Sequence, residues 1–245
     1  MPKMKYDQKF WNRMKKTLDV ELLGVASVNA SQELRNQAER LLPGARSVVV
    51  LGKEVFKEVV DRLQIDKEIG GASAADFLGP HAEYLAGRLN KGVYDLAAFL
   101  KKEGYRAFPL PSQGTPVDQR FLRPLFSFKE AAVWAGMGSL GWHTMLITPE
   151  YGPRVRLACL LTDTPLESSP KARKNYCLQC GACLRICPAT ALKKPAEGEL
   201  AAMNPFACRT YRNVGITCSL CLKACDAAHT PKKHLAKGKT ATRDR

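Results

Sequence analysis

The sequence predicts a mixed α/β (α+β) core over residues 1–166, then a cysteine-dense module over 167–229 and a basic tail over 230–245. Three observations carry that division. Short apolar runs of strand length alternate with stretches of helical periodicity as far as Asp163. The composition then turns polar at ESSPKARKN (167–175), which reads as a linker. Eight of the nine cysteines fall after that point, between Cys177 and Cys225.

Each core element has its own signal. Phe10, Trp11, Met14 and Leu18 recur at helical spacing within 6–18, and LLGVASV (22–28) reads as a buried strand. Ser31 stands where an N-cap belongs, ahead of Leu34, Ala38, Leu41 and Leu42 on one helical face. Pro43–Gly44 stops that helix, and SVVVLG (47–52) is the clearest strand in the chain. Residues 77–104 place Leu85, Leu89, Val93, Leu96 and Leu100 as one or two long helices do. YRAFPL (105–110) fits a strand and PSQGTPVD (111–118) a loop. FKEAAVWAG (128–136) returns to helical periodicity before the glycine-spaced turn MGSLG. MLIT (145–148) and VRLACLLTD (155–163) read as strands joined by PEYGPR. Cys159, inside the last of these, is expected as a buried structural thiol.

With 245 residues, 45% of them hydrophobic and 25% charged, the chain is long and apolar enough for a real core, which excludes disorder throughout. Lys and Arg exceed Asp and Glu by 38 to 23. Such a balance favours nucleic acid, anionic membranes or acidic protein donors, and a plain solvated surface accounts for it equally well. The N-terminal residues show no apolar leader and no twin-arginine pair. Nor does any stretch approach the roughly 18 apolar residues of a membrane span. A cytoplasmic protein is therefore expected, and in a reducing compartment many cysteines argue for metal ligation over disulfides.

The cysteine spacing is the sharpest signal. Cys177, Cys180, Cys183 and Cys187 follow C-x2-C-x2-C-x3-C, with Pro188 next. In two-cluster ferredoxins such a run gives three thiolates to one 4Fe–4S cubane and the fourth to its neighbour. Cys187 is expected to open a helix, with Pro188 in its first turn. Cys208, Cys218, Cys221 and Cys225 form a second set. The ferredoxin cross-over assigns Cys177, Cys180, Cys183 and Cys225 to one cluster, and Cys187, Cys208, Cys218 and Cys221 to the other. Paired C-x2-C units also bind structural zinc, but zinc takes four ligands per ion and has no use for the longer run. Two such clusters make a short electron wire. The large preceding core favours an enzyme over a simple carrier.

AGMGSLGWHTMLITPEYGPRVRLACLLTDTPLE (135–167) followed by CLQCGACLRICPATAL (177–192) resembles the epoxyqueuosine reductase and reductive dehalogenase superfamily. The resemblance implies a cobalamin beside the nearer cluster, fed by a donor such as flavodoxin or ferredoxin. It also implies that the turn Gly136, Gly138, Ser139, Gly141, Trp142, His143 and Thr144 contacts the corrin, with His143 in a catalytic position. Asp118, in its Val-Asp context, resembles the family's proton-donating aspartate, whose carboxyl burial should raise. Trp142 replaces the family's usual lysine, and Asp226 follows Cys225 where proline is usual. The segment after Cys225 is short, so the helical-repeat domain that epoxyqueuosine reductases use for tRNA is expected to be missing. The basic tail is an expected partial substitute for it, leaving tRNA as a possible partner. Two rival functions fit the same residues: a cobalamin-free electron-transfer protein docking a partner enzyme, and a protein that reduces corrinoid as its substrate. The oligomeric state has no sequence signal.

Overall fold

The computed structural model describes residues 6–64, 73–113, 115–170, 172, 174–197, 199, 201–213 and 218–229. The tail over 230–245, with its expected role toward tRNA, lies outside these residues. In chain order the first elements are α1 (Gln8–Thr17), β1 (Leu22–Ser27), α2 (Gln32–Leu41), β2 (Ser47–Glu54), α3 (Lys57–Val60) and α4 (Leu78–Lys102). Then come β3 (Ala107–Leu110), the hairpin β4 (Val117–Asp118) and β5 (Arg123–Pro124), α5 (Phe128–Trp134) and the hairpin β6 (Ser139–Leu140) and β7 (Leu146–Ile147). The long strand β8 (Val155–Thr162) precedes α6 (Ala182–Ile186), α7 (Pro205–Asn213) and α8 (Leu220–His229).

Four strands form one sheet in the order β1-β2-β8-β3, every neighbour antiparallel. Strand side chains alternate between the two faces, and the sequence exploits this on both. Val48, Val50, Cys159 and Leu161 meet α2 and α5 on one face. Val49, Leu51, Ala158 and Leu160 meet α1 and α4 on the other. Both faces are covered, so β2 and β8 read as unbroken apolar runs and not as alternating ones. Cys159 is fully buried and its thiol is pushed well up by desolvation, as a structural cysteine requires.

The element expectations hold with shifts of a residue or two, and Ser31 caps α2 by accepting from the Leu34 N–H at 3.1 Å. Residues 77–104 form one helix, not two. One expectation fails. Cys187 ends a helix: α6 stops at Ile186, and Cys187 is extended at φ −70°, ψ 107°. Pro188 explains this, because its ring disfavours helical backbone in the residue before it. The polar stretch 167–175, read as a linker, is anchored to the core at Ser168 and Ser169. The Val25 N–H donates to Ser169 Oγ at 2.9 Å, the Ser27 N–H to Ser168 Oγ at 3.0 Å, and the Ser169 N–H to the Val25 carbonyl at 2.8 Å. These bonds cover the outer edge of β1, which otherwise presents unpaired backbone.

The cysteine-bearing helices are bolted onto the core. Leu220 and Leu222 of α8 pack with Val55, Val60 and Leu85. Lys223 Nζ donates to the Asp61 and Leu63 carbonyls at 2.8 and 2.7 Å, closing the C-terminal end of α3. Arg154, just before β8, donates through Nε to Asp226 at 2.7 Å and through Nη1 to the Val55 carbonyl at 2.8 Å, and it pairs with Glu54. Both partners of the Arg154–Asp226 pair are nearly buried, with side chains 11% and 7% exposed. Removing one partner of such a pair strands the other as a buried charge. Replacing Asp226 with alanine is therefore expected to cost about 3 kcal/mol, read as a lower denaturation midpoint of the iron-loaded protein. An unchanged midpoint would mean that the pair holds nothing in place.

Candidate functional site

The loop from Cys177 to Gly181 curls tightly, with Gln179 and Gly181 both at positive φ (53° and 70°), and feeds α6. Cys183 lies on α6 and Cys187 at its end, four residues apart. Cys221 and Cys225 repeat that spacing on α8, which packs against α6. Residues four apart share a helix face and are offset by about 6 Å along the axis. Each helix therefore serves two sites, one turn apart.

The eight thiols divide accordingly. Cys177, Cys180, Cys183 and Cys225 line one small cavity together with Trp142, His143 and His229. Cys187, Cys208, Cys218 and Cys221 line a second, apolar cavity closed by Pro188, Leu192 and Tyr211. In each set the most buried thiols are pushed up. Cys225 is pushed up to about 12 by burial first and then by Cys183, Cys177 and Cys180. Cys221 reaches about 12 by burial first, with Cys218, Cys187 and Cys208 adding to it. Such crowded thiols give up their protons when bound iron supplies the compensating charge. Four inward thiols per cavity suit one cubane each. Among the described residues no three His, Cys, Asp or Glu side chains converge closely enough for a single metal ion. A cubane needs no such convergence, since it spreads its thiolates over four iron corners.

A cleft of about 980 Å³ lies against the second set, with Cys208 and Cys218 in its wall. Its volume is at the upper end for ligand sites. Val55, Met145 and Val155 form part of the core side, and Arg209 and Arg212 of α7 face them. Arg156 also borders it, and its buried Nε has no hydrogen-bond partner among the described residues. Burial, and then the nearby Arg212 cation, push the Arg156 guanidinium below its ordinary value. This arginine is short of an acceptor. Cleft volume, wall thiols and orphaned donor together fit a large ligand that carries an anionic group.

The glycine turn falls elsewhere. Among the described residues that border the cleft, Met145 is the one from the β6–β7 hairpin; Gly136, Gly138, Ser139, Gly141, Trp142, His143 and Thr144 are not among them. Gly136, at φ 74°, ends α5, with the Met137 N–H returning to the Ala132 carbonyl. At Gly138 a Cβ would lie 2.1 Å from the Ile147 carbonyl oxygen, so glycine lets the hairpin close. Thr144, at φ 61°, turns the hairpin, its N–H donating to the Gly141 carbonyl at 2.8 Å. Ser139 Oγ accepts the Tyr176 N–H at 2.7 Å and bonds Asn175 Oδ1 at 3.0 Å, fixing the entry to the Cys177 loop. Trp142 and His143 border the first thiol cavity. The hairpin thus faces the first cysteine set. A sequence shows that backbone must approach something closely there, but not what it approaches.

Asp118 lies in the β4–β5 hairpin, beside Val117 and near Leu122 on the cleft rim. Its carboxylate accepts from Arg120 Nη2 at 2.9 Å and from the Arg120 N–H at 2.9 Å. The Arg120 side chain holds that carboxyl below the usual range, opposite to the rise expected of a donor. In this arrangement Asp118 is paired with Arg120. Sequence reading missed Arg154, Arg156, Arg212 and His229. Only Asp226, standing where proline is usual, left a signal.

Comparison with known proteins follows the same lines. Over 126 residues the chain is 35% identical to a tetrachloroethene reductive dehalogenase of Desulfitobacterium hafniense, covering 49% of this chain and 20% of that protein. Over 169 residues it is 31% identical to the epoxyqueuosine reductase of Gloeobacter violaceus, covering 66% of this chain and 46% of that one. The matched stretches thus span less than half the length of either relative. A solved reductive dehalogenase, described for B12-dependent dehalogenation, shares the fold at a TM-score of 0.62 and 20% identity over 86% of this chain and 30% of its own. No protein-family model matches. Among the described residues no helix is long and apolar enough to cross a membrane.

If each cavity holds its own cluster, Cys180→Ala is expected to remove about half of the bound iron and to leave the second site filled. Iron and sulfide assays on the anaerobically reconstituted variant read this directly. Full iron retention would break the assignment.

Proposed function

We propose that this chain, which belongs to the superfamily of the epoxyqueuosine reductases and reductive dehalogenases, is an iron–sulfur, corrinoid-dependent reductase. The observation that carries the reading is the position of the second cysteine set, which lines its own cavity and also forms a wall of the large cleft. When bound, the two clusters would supply one-electron steps and the corrinoid a strongly reducing cobalt for the substrate.

The chain's own residues have distinct tasks in this reading. Cys177, Cys180, Cys183 and Cys225 would hold the first cluster near the surface, where Cys180 and Leu178 are exposed. Leu178 and Ile186, 55% and 43% exposed, offer an apolar landing for a small electron-carrier protein such as a flavodoxin or ferredoxin. Cys187, Cys208, Cys218 and Cys221 would hold the second cluster between that entrance and the cleft. Apolar Leu192 and Tyr211 keep water from its sulfurs. In the cleft, Arg156 and Arg212 would take an anionic group of the ligand, which a corrinoid with a nucleotide loop supplies as its phosphodiester. The hairpin at Asp118 would form the rim, with Arg209 Nη1 bonded to Gln119 Oε1 at 2.9 Å joining it to α7.

The test is metal content after anaerobic reconstitution with hydroxocobalamin and desalting. About eight irons and one cobalt per chain are expected. The variant Arg156→Gln should keep its iron and bind cobalamin about tenfold more weakly, the cost of one hydrogen bond to a charged group. Full iron without cobalt in the wild-type protein would leave an electron carrier and remove the corrinoid.

A further inference from the structure

His143 is 2% exposed at the tip of the β6–β7 hairpin. Its Nδ1 accepts the Met145 N–H at 3.1 Å. A ring nitrogen that accepts carries no proton, so the neutral imidazole bears its hydrogen on Nε2. That Nε2 is buried, and among the described residues it has no hydrogen-bond partner. The ring borders the cavity of Cys177, Cys180, Cys183 and Cys225. A buried N–H with no acceptor is unfavourable wherever it stands, and this one stands beside four sulfurs.

The hairpin is built to keep the ring there. A Cβ on Gly141 would come within 2.7 Å of His143 Cε1 and 3.1 Å of Nδ1, so only glycine leaves room for the imidazole. Ser139 ties the same hairpin to Asn175 and Tyr176, directly before Cys177. The other histidine on this cavity, His229, already has carbonyl partners: its Nδ1 lies 3.0 Å from the Cys225 carbonyl oxygen and 3.8 Å from the Cys225 Sγ, and its Nε2 2.9 Å from the Tyr176 carbonyl oxygen.

We propose that His143 donates its Nε2–H to a sulfur of the first cluster, either a cysteine thiolate or a bridging sulfide, and thereby raises the reduction potential of that cluster. A hydrogen bond to sulfur draws charge from the cluster and favours the reduced, more negative form. The inference rests on the reading that the first cysteine set holds a cubane. It gives the hairpin a purpose in tuning the cluster, where family resemblance alone suggests contact with a corrin.

The experiment is an EPR-monitored redox titration of the holoprotein as wild type, His143→Phe and His143→Gln. In His143→Phe one midpoint is expected to move to more negative potential while the other stays. His143→Gln, which keeps an N–H donor of similar reach, should recover part of the shift. Two unchanged midpoints in an iron-replete His143→Phe protein would overturn the proposal. A wild-type protein that takes up no iron would instead sink the cluster reading beneath it. Should His143→Phe fail to fold, a His229→Gln protein labelled with ¹⁵N-histidine decides the question by pulsed EPR. A ¹⁵N coupling to the reduced first cluster supports the hydrogen bond, and its absence refutes it.

Discussion

The arrangement of the cysteine sites depends on one buried guanidinium. Arg154 joins the end of β2, through Glu54 and the Val55 carbonyl, to Asp226 on α8. Lys57 approaches the same carboxylate at 3.4 Å. Such a pair gains little net stability, because both charges give up hydration to form it. Its effect is positional. Asp226 follows Cys225, so whatever fixes Asp226 fixes the fourth thiol of the first cavity, and Cys221 one turn earlier in the second. Where an unattached ferredoxin module takes proline, this chain places an acid, and the acid ties the module to the sheet.

The paired helices then set the spacing of the two sites. Cys183 and Cys187 on and beside α6, like Cys221 and Cys225 on α8, stand one turn apart and point into different cavities. Sites linked by two helices cannot drift relative to each other unless a helix breaks. Electron transfer falls off steeply with distance, so rigidity here serves the chemistry that the cysteine pattern implies. The covered edge of β1 and the Lys223 bonds to the Asp61 and Leu63 carbonyls serve the same end from outside.

Much of the fold was legible in the sequence, for physical reasons that differ between elements. β2 and β8 are buried on both faces, and continuous apolar runs such as SVVVLG have few other readings. Helix α4 shows its buried stripe at Leu85, Leu89, Val93, Leu96 and Leu100 without ambiguity. The division of the cysteines between two cavities follows the two sets that their spacing in the sequence marks out. Long-range polar contacts were not legible. Nothing local to Ser168 and Ser169 says that they bind the edge of β1. Nothing local to Arg154 separates it from Arg156, yet one meets Asp226, Glu54 and the Val55 carbonyl while the other has an Nε without an acceptor among the described residues. The hairpin glycines were legible as sites of close approach, but the approaching groups, the Ile147 carbonyl and the His143 ring, come from the turn itself.

Those two arginines also define the direction of the site. Arg154 faces the module and is neutralised by Glu54 and Asp226, so it holds structure together. Arg156 borders the cleft with Arg212, and its buried Nε has no partner among the described residues. A protein whose cleft served only as a gap between units would have no reason to leave that donor unmet, since one nearby carboxylate or carbonyl would satisfy it. Glu83 is the single acidic residue among the described residues that border the cleft, and the Arg156 Nε does not bond it. The cleft is therefore polarised toward an anionic guest, at the end of the cysteine sites that lies away from the exposed Cys180. Surface, first set, second set and cationic cleft stand in that order, the order that the proposed reductase would require.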